Sequence, residues 1–171
     1  MSAFVSGLLH PLVIPAHVLA LLALGLLIGQ QRAMLPPSVG FATALAAGLT
    51  AITLAIGETA ALDVLLAATA LAGVLLALAR PLPTLLSTAL AAVTGIALGL
   101  DSPPEAISLA AAIATLVGTG LGACLVLLLV AAAAHCLTRW WQRIGMRIVG
   151  SWLAASAILV LALRFARGLM F

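Results

Sequence analysis

The chain has 171 residues, of which 65% are apolar and only 6% are charged, and its formal net charge is +3. Soluble domains carry charge on about a quarter of their residues, so this composition excludes a soluble fold and indicates an integral membrane protein. All seven basic residues are arginines, and in a membrane protein these report orientation and lipid headgroups more often than nucleic acid. We therefore predict the lipid bilayer as a partner and no nucleic-acid partner.

Six apolar runs divide the chain, each near the length of about 20 residues that crosses a bilayer. Prolines, a Gly-Glu pair and an arginine-rich segment separate the runs, and proline stops a helix because it lacks an amide donor and clashes with the preceding turn. The predicted helices cover 12–31, 39–56, 61–79, 84–100, 106–138 and 148–163. This pattern predicts an all-α polytopic membrane protein, a bundle of about six transmembrane helices that forms a single transmembrane domain over 1–171.

The charges separate between the two faces of this predicted bundle. Five arginines fall in the connections of one face, and all four acids fall in those of the other. The arginines are Arg32, Arg80, Arg139, Arg143 and Arg147, and the acids are Glu58, Asp63, Asp101 and Glu105. The positive-inside rule then predicts an N-out, C-out topology. Arg164 and Arg167 are the exceptions, since they lie at the outer end of the last predicted helix.

The fifth predicted helix is too long for one ordinary span, because its apolar run reaches roughly 45 Å against a hydrocarbon core of about 30 Å. The glycines between Gly118 and Gly122 offer a place for a kink, and a straight helix that projects beyond the bilayer is an equal alternative. After it, four basic side chains recur at every fourth residue. This spacing predicts a stripe on one helical face at the cytoplasmic surface. Its members are His135, Arg139, Arg143 and Arg147.

Pairs of glycines four residues apart recur in three of the predicted helices. Lipid tails give helices no hydrophobic drive to associate, so membrane helices pack through small residues that let their backbones approach closely. We therefore predict that these pairs lie at contacts between helices. They are Gly25/Gly29, Gly95/Gly99 and Gly118/Gly122.

His10 and His17 are the candidate metal ligands at the entrance of the first predicted helix. They are two helical turns apart, and Pro11 and Pro15 make the backbone between them irregular. Imidazole binds nickel, cobalt, copper and zinc, and Asp101, on the same predicted face, would complete a site. The alternative is that both histidines only bond the backbone groups that the prolines free. His135 lies at the opposite predicted face and is excluded from the site.

The opening motif carries a resemblance to a known family. It consists of His10-Pro11-Leu12 and of the segment His-Val-Leu-Ala-Leu-Leu-Ala-Leu-Gly-Leu over 17–26, with weaker similarity at 30–36 and at Gly57-Glu58. These segments resemble the HupE/UreJ proteins, small membrane proteins associated with hydrogenase and urease operons. The resemblance implies a nickel or cobalt permease of the bacterial inner (cytoplasmic) membrane, with Ni²⁺ or Co²⁺ as the transported ion.

The chain departs from the family pattern at positions that bear on metal binding. Ala16 stands where the family has an aspartate before the second histidine. The segment 94–101 is similar to a histidine-rich family motif, but Thr94 and Leu98 occupy the histidine positions. The resemblance therefore leaves a reduced set of predicted metal ligands, namely His10, His17 and Asp101.

Two functions remain open from the sequence. The first is a divergent HupE/UreJ-like permease that captures the ion at an outer-face histidine site. The second is a non-transporting structural membrane subunit, which binds a partner protein, a second copy of itself or lipid through its small-residue helix faces. An enzyme is not expected, because no nucleophile, base and orienting group fall together on one predicted face.

Overall fold

A computed structural model of the chain describes residues 2–31, 33–53, 58–104 and 108–168, apart from the side chains of 58, 59, 167 and 168. The described residues form seven α-helices and no strand, which confirms the all-helical prediction. The helices are α1 (Ala3–Val13), α2 (Pro15–Gln30), α3 (Leu35–Ile52), α4 (Glu58–Leu78), α5 (Thr84–Leu100), α6 (Leu109–Cys136) and α7 (Trp140–Gly168).

Four of the described helices, α3, α4, α6 and α7, are long and apolar enough to cross a membrane. The pair α1 and α2, bent by 72° at its break, gives a fifth if it is one span, and α5 is a shorter apolar helix of 17 residues. The chain is therefore a multi-pass membrane protein. The count of six spans and the N-out, C-out orientation stay predictions.

The first helix of the structure begins earlier in the sequence than predicted. Residues 3–13 are already helical, and Pro11 lies inside α1 without ending it. The break is confined to Ile14, whose backbone is extended with φ −88° and ψ 115°. A residue before proline is driven out of the α region, and Pro15 then starts α2 in the first turn, where its missing amide costs no helical hydrogen bond. The irregular backbone is thus one residue long.

Helix α2 lies at the centre of the bundle. It contacts α1, α4, α5, α6 and α7, and more than half of its 16 residues are buried. A helix that is apolar on all sides is typical of a protein core or a membrane span. This central position explains why His17, in the first turn of α2, is fully buried.

Each predicted glycine pair lies at a contact between two helices, which confirms that prediction. A Cβ atom added at any of these positions would collide with atoms of the neighbouring helix. The pairs are Gly25/Gly29 on α2 against α6, Gly95/Gly99 on α5 against α3, and Gly118/Gly122 on α6 against α1. Helix α6 is continuous through its glycines, and these glycines serve the close approach of α1.

The predicted stripe from His135 to Arg147 is wrong as a single helical face. Helix α6 ends at Cys136, so His135 belongs to α6 while Arg143 and Arg147 belong to α7. The predicted connection 139–147 is also too long, because α7 begins at Trp140. The side-chain Oε1 of Gln142 accepts a hydrogen bond of 3.0 Å from the backbone N–H of Arg139. This side-chain cap satisfies the backbone N–H of Arg139, which precedes the first turn of α7.

Helices α4 and α7 are antiparallel, and side-chain interactions connect them near both ends. The Nε of Arg147 donates to the carbonyl oxygen of Ala77 at 2.9 Å, near the end of α4. At the other end, Arg164 and Asp63 form a 2.6 Å ion pair. Arg164, an exception to the predicted charge separation, therefore lies beside an acid of the same predicted face. The side chain of Arg167 lies outside the described residues.

Gln31 joins the end of α2 to the α4–α5 connection and gives a test of stability. It is 7% exposed, and its Oε1 accepts a 3.0 Å hydrogen bond from the backbone N–H of Leu82. Replacing Gln31 by Ala leaves that amide without its acceptor, so we expect a loss of about 1–3 kcal/mol in unfolding free energy. Unfolding in detergent measures it, with Gln30→Ala as the control. Equal effects of the two substitutions would contradict a role for this bond.

Candidate metal site

The three predicted ligands come from three separate helix ends and meet beside the break between α1 and α2. His10 lies in the last turn of α1, His17 in the first turn of α2, and Asp101 caps the end of α5. The two histidine-bearing helix ends meet at the 72° bend between α1 and α2. The arrangement therefore depends on Ile14 and Pro15, which set that bend.

The two imidazoles are close enough to share one ion. Their ring centroids are 5.7 Å apart and their planes meet at 61°. Two imidazoles on one ion, with metal–nitrogen distances of about 2.0–2.1 Å, have centroids roughly 5–6.5 Å apart. The observed separation falls within this range. His17 is 0% exposed and His10 is half-buried, so neither ring lies freely in lipid.

Asp101 contacts His17 across 84 residues of sequence. Its Oδ2 lies 3.0 Å from Nε2 of His17, and its side chain is 23% exposed. The backbone N–H of Asp101 bonds to the carbonyl of Ala97, which completes the last turn of α5 and holds the carboxylate in place. A buried imidazole needs such a partner, since an unsatisfied polar group in an apolar interior is costly.

The other ring nitrogen of His17 has a different environment. Nδ1 is buried and has no hydrogen-bond partner in the part of the chain that the structure describes. Within the same described ranges, no three His, Cys, Asp or Glu side chains are placed to hold one metal ion together. Both other candidates therefore lie against His17, the Asp101 carboxylate at its Nε2 and the His10 ring within ring-contact distance.

Among the described side chains, His135 and Asp63 lie away from these three candidates. The backbone N of His135 lies beside Gly29, and from His17 to Gly29 the helix extends about 18 Å at about 1.5 Å per residue. This agrees with the exclusion of His135 from the site. Asp63 pairs with Arg164, while the side chain of Glu58 and all of Glu105 lie outside the described residues.

The positions of the missing family histidines are filled by core residues. Leu98 is fully buried, and Thr94 is buried with its hydroxyl donating to the carbonyl of Leu90. Sequence reasoning missed the helical segment 3–9, which leads to His10. Its apolar run Ala-Phe-Val-Ser-Gly-Leu-Leu was the available signal. Because this segment packs on α6, it positions His10.

These features define a small multi-pass helical membrane protein with two imidazoles and a carboxylate at a broken helix. The family model described as HupE / UreJ protein matches residues 1–160, from α1 through most of α7. The chain belongs to the HupE/UreJ family, which suggests a nickel/cobalt accessory membrane protein. Searches of curated proteins and of solved structures gave no match.

Proposed function

We propose that the chain is a divergent HupE/UreJ-like permease of the bacterial inner membrane that takes up Ni²⁺ or Co²⁺ through His10, His17 and Asp101. The observation that supports this most is the meeting of these three side chains beside the α1–α2 break, since they come from helix ends far apart in sequence. Ionisable side chains inside a membrane protein are costly to bury and therefore commonly mark an ion pathway. Family membership supports the choice of metal.

Asp101 and His17 differ in exposure, which gives each of them a separate part in ion capture. Asp101 is partly exposed and supplies negative charge, which raises the local concentration of a cation. His17 is fully buried, so an ion that reaches it has lost part of its hydration shell. Imidazole nitrogen replaces that water and suits nickel and cobalt. From there the ion would pass along α2, where it meets α5 and α6.

Ion binding and uptake test this proposal directly. We expect purified protein to bind Ni²⁺ or Co²⁺ in calorimetry, and cells producing it to accumulate the ion. The His10→Ala/His17→Ala variant removes both imidazole donors, so its binding and uptake should fall to background, at least tenfold below the unmodified chain. His135→Ala is the matched control, because it removes an exposed histidine near the far end of α2.

Two results would contradict the proposal that the chain is a permease. Protein that binds neither ion at micromolar concentration and does not increase cellular metal content is not a permease for these ions. Equal losses of ion binding and uptake in His135→Ala and in the double variant would also contradict the proposed site, because the effect would then not depend on which histidine is removed. Either result favours the structural subunit, which acts through a protein or lipid partner.

A further inference from the structure

We propose that Asp101 is a positioning residue, and that its carboxylate fixes the proton of His17 on Nε2 so that Nδ1 binds the ion. This inference rests on the proposed function and changes the part that Asp101 plays in it. The carboxylate lies behind a ligand and orients it, instead of occupying a place on the metal.

The first step of the argument is the hydrogen bond between the two side chains. Oδ2 of Asp101 lies 3.0 Å from Nε2 of His17. An ionised carboxylate only accepts hydrogen bonds, so Nε2 must carry the proton of this contact. A neutral imidazole has one ring proton, and its other nitrogen then carries a lone pair. In neutral His17, the contact with Asp101 therefore leaves the lone pair on Nδ1.

The second step is the surroundings of Nδ1. This atom is buried and finds no hydrogen-bond donor among the residues that the structure describes. A buried acceptor without a partner is costly and calls for a specific explanation. A bound cation supplies one, because the lone pair of a neutral imidazole is its metal-binding group. The His10 ring, 5.7 Å away between centroids, is near enough to supply a second imidazole donor.

The third step is the carboxylate contact itself, which lies at the His17 nitrogen that we do not assign to the ion. Histidines that bind metals commonly donate their other N–H to a carboxylate, which fixes the ring orientation and makes the ligand more basic. His17 meets this description with Asp101 on the side of Nε2. The arrangement leaves the other coordination positions of the ion to water. An ion held by few protein ligands leaves the site readily, as transport requires.

A metal-free measurement tests the proton position without any assumption about transport. The chain contains three histidines, so ¹⁵N-histidine labelling of the full chain in nanodiscs, assigned with His10→Gln and His135→Gln, gives the tautomer of His17. We expect protonated Nε2 and unprotonated Nδ1. Asp101→Ala should produce a mixture of tautomers, and Asp101→Asn, which keeps an acceptor oxygen, should restore the Nε2–H form. A proton on Nδ1 in the unmodified chain overturns the inference.

Pulsed electron paramagnetic resonance with Cu²⁺ as the probe distinguishes a positioning residue from a ligand. It reports the remote ring nitrogen of each bound imidazole. In Asp101→Ala we expect the same number of bound imidazoles, an altered remote-nitrogen signal, and binding of Ni²⁺ or Co²⁺ weakened by about 10- to 100-fold. Asp63→Ala is the control, because it removes an acid that is paired with Arg164. It should change neither the remote-nitrogen signal nor the ion affinity.

Two results separate this inference from the proposed function. If Asp101→Ala leaves the remote-nitrogen signal unchanged while X-ray absorption shows the loss of one oxygen ligand, Asp101 is a ligand and only the inference fails. If the expected tautomer is present but the chain binds none of Cu²⁺, Ni²⁺ and Co²⁺, the proposed function and the ion-binding role of Nδ1 both fail.

Discussion

Replacing Gly122 by Leu is expected to weaken ion binding by about tenfold or more, although it removes no ligand. A Cβ atom at Gly122 would collide with the backbone carbonyl oxygen of Leu8 on α1, so a larger side chain must push α1 away from α6. His10 lies two residues beyond Leu8 on the same helix. We therefore expect its ring to shift relative to His17, so that the two imidazoles lose the spacing that the proposed ion site needs.

The control for this variant is Gly145→Leu, because a Cβ atom at Gly145 meets nothing within 4 Å. Both substitutions replace glycine by a better helix former, so helix propensity cannot explain a difference between them. Calorimetry with Ni²⁺ or Co²⁺ gives the affinity, and circular dichroism shows whether the helices remain. Unchanged affinity in Gly122→Leu would show that the packing of α1 on α6 does not position His10.

The fold could be predicted from the sequence where prolines act locally. The predicted helix 84–100 coincides with α5, since Pro83 precedes it and prolines at 103 and 104 follow it, and their steric effect needs no tertiary contact. The other helix ends were less predictable. The restart at Trp140 depends on the cap from Gln142, and α1 is a short helix that packs against α6.

The candidate site could be named from the sequence but not assembled from it. His10, His17 and Asp101 were found because histidines and acids are rare in so apolar a chain. Their distances depend on how α1, α2 and α5 pack. Glycine spacing identifies a surface that permits close packing, but it does not identify the neighbouring helix, so no local pattern could place Asp101 on Nε2 of His17. Metal binding by these residues stays a prediction.

Gly99→Ala is expected to separate Asp101 from His17 and so to reproduce, in the metal-free protein, the tautomer mixture of Asp101→Ala. A Cβ atom at Gly99 would lie 2.7 Å from the backbone N of Leu49 and 2.8 Å from the carbonyl oxygen of Leu45, both on α3. Backbone atoms of packed helices cannot turn aside, so the end of α5 must shift. Such overpacking costs about 1–3 kcal/mol of stability, and the 3.0 Å bond two residues further on is lost with it.

The matched control lies at the other end of the same contact between α3 and α5. A Cβ atom at Gly40 would approach Cγ2 of Thr88 at 2.8 Å, and rotation of Thr88 about χ1 can move this carbon away. Gly40→Ala should therefore keep both the stability and the Nε2–H form of His17. ¹⁵N spectra and thermal unfolding of the two variants, recorded in the same nanodiscs, make the comparison. If Gly99→Ala keeps the Nε2–H form while losing stability, the orientation of His17 does not depend on where α3 holds the end of α5.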